Sequence, residues 1–131
     1  MLVYRGDSSN NFQVNTYQNS RYGFPVLFFS TSLKTAKYYA DFLSKQKGLS
    51  TGGHVYSFEI PYFNKEIDFE MGYSYSSHFR NLVFKLKNEN FKSVQINNVF
   101  DRPSKNYPLC TSPIVMIFDF NIIKSSKRVE F

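Results

Sequence analysis

Cys110 is the only cysteine among 131 residues, so no intrachain disulfide can form and a disulfide-stapled secreted scaffold is excluded. A reducing cytoplasm, of the producing or a host cell, is the expected setting. Long apolar runs are missing too: no stretch approaches the roughly 18 apolar residues of a membrane span, and Met1–Arg5 lacks a basic region followed by an apolar one. The chain therefore reads as soluble and unprocessed, with no membrane partner. Tryptophan is absent, and His54 and His78 have no metal-ligand spacing to each other or to Cys110, so no metal site is expected. Runs of five or six like charges are also lacking. The formal charge is +6, from 16 Lys and Arg against 10 Asp and Glu, and its densest basic group is Lys124, Lys127 and Arg128. Such a scattered excess describes either a solvated surface or attraction to an anionic partner or cofactor.

Rings are abundant by contrast. Fifteen Phe and ten Tyr bring the aromatic content to 19 %, which points to a strand-rich interior of rings and β-branched residues. The length fits a single domain over residues 1–131, able to bury about two-thirds of the surface its unfolded chain exposes.

Residues 1–5 read as a strand stopped by the turn formers Gly6 to Asn11, and the polar segment 10–25 as a loop able to act as a flap. Val26 to Ser30 reads as a buried strand. Ser32 can cap a helix over 33–47, with Leu33, Ala36, Ala40 and Leu43 on its apolar face and Gly48 beyond its end. Gly52-Gly53 opens a strand in which Tyr56, Phe58 and Ile60 alternate with polar residues up to Pro61. A short strand is expected between Phe63 and Gly72, and Phe79, Leu82, Val83 and Leu86 predict a helix over 77–89. Ser93 to Phe100 reads as a strand, Asp101 to Pro113 as a loop, and Ile114 to Phe118, apolar on both faces, as a central strand. This order suits an α+β domain.

Three groups of residues can carry chemistry. Arg5 stands where the first strand meets a glycine, and its fork of donors can bind phosphate or ribose oxygens; a surface arginine at a strand end would look the same. Ser30-Thr31-Ser32 lies at a strand-to-helix junction, where hydroxyls either cap the helix or contact a ligand. Tyr38 and Tyr39 follow in the helix, suited to core packing or to stacking on a planar heterocycle.

Tyr4-Arg5-Gly6, Phe28-Phe29-Ser30-Thr31-Ser32, Ala36 to Ala40, Phe91 to Asp101, and Ser112 to Ser125 with its closing Ile123-Lys124-Ser125 occur in an order that resembles small phage and bacterial ADP-ribosyltransferase-like domains. The similarity runs over nearly the whole chain. It implies a split β-sandwich of two small sheets with flanking helices and with NAD, as substrate, in the cleft between the sheets. Tyr4, Arg5, Gly6, Ser30, Thr31, Ser32, Tyr38 and Tyr39 would then border the dinucleotide. Because Arg5 holds the first motif position, the pattern is closer to the arginine, serine, glutamate class than to the histidine, tyrosine, glutamate class.

One departure stands out. These enzymes hold a carboxylate at the start of the final strand group to support positive charge as nicotinamide leaves, whereas Leu109 to Ile114 contains no acid. Asp101 is the nearest candidate, provided the 102–113 loop folds back; Glu66, Asp68 and Glu70 are weaker ones, since alternating acids on a strand usually form its solvated face. On the resemblance, Arg5 positions NAD, Ser30 orients it and Asp101 supplies the charge for transfer of ADP-ribose to a protein target. A catalytically silent relative that binds or inhibits a host protein is the alternative, and a basic nucleic-acid-binding module is a third.

Overall fold

The computed structural model describes residues 1–12, 14, 22–49 and 52–130. Half of the polar segment expected to form a flap, residues 13 and 15–21, lies outside these described residues. The chain forms β1 (Leu2–Asp7), β2 (Leu27–Ser30), α1 (Leu33–Gln46), β3 (His54–Glu59), β4 (Lys65–Tyr73), α2 (Ser77–Asn88), β5 (Ser93–Phe100), β6 (Ile114–Ile117), a 3-10 turn (Phe120–Ile122) and β7 (Ser125–Arg128). The α+β class is as expected. Where two small sheets are expected, the described strands instead form one mixed seven-stranded sheet in the order β4-β5-β6-β2-β1-β3-β7. Only the β4–β5 pair is parallel.

The sheet is continuous because β1 and β2 meet, but they share one registered pair, Tyr4↔Ser30, against six between β1 and β3 and four between β2 and β6. On the face of the sheet turned away from the helices, its inner face, the Phe29 and Phe58 rings meet edge to face across this seam and β1 with centroids 4.9 Å apart. Val3, Leu27, Phe29, Tyr56, Phe58, Val115 and Ile117 form one cluster there.

Each helix covers an outer face. On one side of the seam Ala36 and Ala40 of α1 pack with Val55 and Tyr4; on the other, Phe79, Val83 and Leu86 of α2 pack on Val94, Ile96, Val99 and Met116. Ser32 caps α1, its Oγ accepting from the Thr35 amide at 3.3 Å, and Ser76 does the same for α2 through the Phe79 amide. Contacts of this kind are worth about 1 kcal/mol each.

Gly6 has a different role from the turn former expected. It lies inside β1, paired with Val55, and a Cβ there would stand 2.1 Å from the Ala36 carbonyl oxygen and 2.5 Å from the Ala40 amide nitrogen. Its missing side chain is what lets α1 lie directly on β1. The acids of β4 also differ from a plain solvated face. Glu70, Met71 and Asn98 adopt positive φ where the β4–β5 register shifts between Asp68 and Gly72. Asp68 Oδ1 holds this irregularity by accepting from the Glu70 amide at 2.8 Å and from Asn98 Nδ2 at 3.1 Å. After Asn98 the alternation of β5 changes phase, so Val99 is buried.

Candidate functional site

A cavity of about 430 Å³ opens beside the seam. Tyr4, Arg5 and Gly6 of β1, Phe28, Phe29 and Ser30 of β2, Ala36 and Tyr39 of α1, Ser74 and Tyr75 before α2, and Asp101 and Arg102 after β5 are among its lining residues. Its size lies within the about 300–1,000 Å³ of small-molecule sites, and its make-up of rings with a few polar groups is the usual one for them.

Asp101 is the most distinctive group. It is only 6 % exposed, and its Oδ1 accepts from the Tyr39 hydroxyl at 2.5 Å and the Ser74 hydroxyl at 2.6 Å. Its backbone exchanges two hydrogen bonds of 2.8 Å with Cys110. That bridge closes residues 102–109 of the loop. Tyr107 pins the loop to α1, donating to Asp41 Oδ2 at 2.6 Å and packing its ring on Tyr38 and Phe42. Burial pushes the Asp101 carboxyl above the usual aspartate range, while hydrogen bonds from Ser74, Tyr39 and the Arg102 amide pull it back. The Tyr39 hydroxyl is raised well above the tyrosine range, first by burial and then by the Asp101 charge it faces. The proton of this pair therefore rests on Tyr39.

Arg5 and Ser30 border the same cavity as Asp101 from the seam side, and strand alternation turns the Arg5 side chain toward the inner face with its registered partner Tyr56. Arg5 donates through NH1 to the Phe28 carbonyl at 2.9 Å, across the gap where β1 and β2 share little pairing, and its guanidinium lies 5.4 Å from the Phe12 ring centre. Ser30 is buried, and its Oγ accepts from the Ser32 amide at 3.0 Å.

The other residues singled out in the sequence divide. Tyr4, Gly6 and Tyr39 border the cavity; Thr31, Ser32 and Tyr38 do not. Thr31 donates to the Pro113 carbonyl through both amide and hydroxyl, Ser32 caps α1, and Tyr38 stacks against the loop through Tyr107. Glu66, Asp68 and Glu70 also lie outside the cavity. Ser74 and Arg102 are the polar lining residues that the sequence reading missed. Neither belongs to a motif; only the fold's return of the Ser74 turn to the end of β5 brings them in. Among the described residues no group of three His, Cys, Asp or Glu side chains is placed to hold a metal ion, and no helix is long and apolar enough to cross a membrane.

Compared with known protein families, curated proteins and solved structures, the chain gives no match.

Proposed function

We propose that this cavity binds NAD through its nicotinamide-ribose half and that the protein transfers ADP-ribose from it to a protein target. The observation that carries the reading is the convergence of Arg5, Ser30 and Asp101 on one cavity from three strands or strand ends far apart in the chain. A buried carboxyl and several hydroxyls in an aromatic-walled space, with a cation at the adjoining seam, suit a ligand with anionic, hydroxylated and planar parts. The single-rung seam and the cluster shared across it support the split-sandwich form of the fold in which such a cleft lies between two half-sheets.

In this reading Arg5 holds NAD oxygens, Ser30 steadies the segment leading into α1, and Asp101 faces the ribose. As the glycosidic bond to nicotinamide breaks, positive charge grows on the ribose, and an ionised Asp101 lowers that barrier electrostatically. The leaving nicotinamide is neutral, and a nucleophile on the target takes the ribosyl carbon. Tyr39 and Ser74 favour the ionised form of Asp101, which burial alone opposes. The rate accordingly rises with pH on its acid limb.

NAD labelled in its adenylate half, incubated with the protein and a cell lysate, tests the proposal. Label transferred to protein with matching nicotinamide release is the expected result, and Asp101→Asn should lower both by about a hundredfold or more, the usual effect of removing one transition-state stabiliser. Absence of transfer and of nicotinamide release overturns it. A second reading, a silent NAD-cleft relative that binds a host protein, is favoured by the engagement of Asp101 Oδ1 with two hydroxyls. It requires that Asp101→Asn leave biological effect intact.

A further inference from the structure

A second concavity lies on the inner face at the opposite side of β3 from the seam, where the sheet ends in β7. It has a volume of about 580 Å³ and is bordered by Asn10, Asn11, Phe12, Tyr56 and the stretch Lys124 to Arg128. Among the described residues no acidic one borders it. Side chains alternate along a strand, and the pairs Ser126↔Phe58 and Arg128↔Tyr56 put Ser126 and Arg128 on the face of those two buried rings. Lys124, two residues before Ser126 and still tied to β3 through its amide and the Glu59 carbonyl at 2.8 Å, falls on the same face.

We infer that this concavity is a docking groove for single-stranded nucleic acid, with Lys124 and Arg128 on alternate phosphates and the side-chain amides of Asn10 and Asn11 on the opposite wall. Spacing favours that occupant. Four strand steps separate the two cations by about 13 Å, too far for both to close on one phosphate in place but suited to a chain that repeats its charge along its length. Strand β7 is the outermost of the sheet, so an extended chain can run beside it without meeting another strand. Lys124 makes no ion pair among the described residues; Arg128 makes one, to Glu130 at 3.0 Å, and both partners are largely exposed. That pair competes weakly with a phosphate. The net charge of +6 adds long-range attraction of the same sign.

Fluorescence anisotropy of a labelled eight-nucleotide oligothymidylate, titrated with the full chain over a series of salt concentrations, tests the inference. Two phosphate contacts predict that log K falls against log salt with a slope of about −1.4. The double variant Lys124→Ala/Arg128→Ala should flatten that slope and weaken binding about tenfold or more at low salt. Glu130→Gln should strengthen binding, and Lys105→Ala, on the distant 102–113 loop, should leave it unchanged. Thermal melts of each variant check that the fold is kept. Equal loss from Lys105→Ala and from the double variant overturns the site, since it would mean unlocalised attraction. Binding of an acidic peptide as tight as that of the oligonucleotide overturns the nucleic-acid assignment, and an unaltered affinity in the double variant overturns both.

Discussion

Replacing Tyr39 by Phe removes one hydroxyl and almost no volume, which makes it a clean probe of the buried carboxyl at the cavity. The hydroxyl donates to Asp101 Oδ1 at 2.5 Å, and a hydrogen bond to a charged group is worth about 1.5–3 kcal/mol, against about 1 kcal/mol for a neutral pair. Where Asp101 is ionised, the variant should lose about 2 kcal/mol. For a chain of this length that lowers Tm by about 6–10 °C. Asp101 titrates higher in the folded than in the unfolded chain, so the folded state binds more protons in that window and stability falls as pH rises from the unfolded value of 3.8 through the folded one. Loss of the Tyr39 donor raises the folded value further and deepens that fall. The destabilisation by Tyr39→Phe should therefore grow from about 1 kcal/mol at pH 3, where Asp101 is protonated, to about 2 kcal/mol at the pH where the folded chain has ionised it. Above pH 10 a second trend sets in: the folded chain keeps the Tyr39 proton that the unfolded chain loses, so the wild type loses stability with pH in a way that the variant lacks. Urea unfolding followed by circular dichroism at several pH values measures all of this. An equal loss below and above that ionisation would refute the assignment of an ionised Asp101 as the acceptor.

Two further substitutions test the packing that shapes the cavity. Gly6→Ala drives a methyl group into the backbone of α1, with the Ala36 oxygen at 2.1 Å; a destabilisation of about 3 kcal/mol or more is expected in urea titration, beyond the usual range for overpacking because the clash is with backbone. Ser32→Ala removes the cap of α1 and should cost about 1 kcal/mol, read as a shift in urea midpoint with unchanged slope; a shift above 3 kcal/mol would mean that Ser32 does more than cap.

Much of the fold is legible in local pattern. The apolar run Ile114 to Ile117 is a strand inside the sheet because both of its faces are covered, one by the inner cluster and one by the cluster under α2. The helix over residues 33–46 announces itself by Ser32 and by its apolar spacing. Strand β7 gives no such signal: Ser125, Ser126, Lys127 and Arg128 are all exposed, and only backbone pairing with β3 makes them a strand. Gly6 misleads for a related reason, since glycine marks turns and close approaches alike, and the partner that decides between them is 30 or more residues away. The site is legible in pieces. Arg5, Ser30, Tyr39 and Asp101 each stand out by type and place, but the bond between Tyr39 and Asp101 spans 62 residues, and Ser74 is one serine in a turn until the fold sets it beside them.

The single rung between β1 and β2 has a mechanical consequence. Along most of the sheet the distance between neighbouring strands is held by a ladder of amides, which no side-chain substitution can easily stretch. Across this one boundary a single backbone pair is joined by side chains: Arg5 reaches to the Phe28 carbonyl, Tyr39 to Asp101, and Phe29 packs on Phe58. Aperture and contents are thus governed by the same few side chains. On the proposed function, a ligand that drew Arg5 or Asp101 onto itself would also loosen a fastening, which would couple its binding to the spacing of β1 and β2.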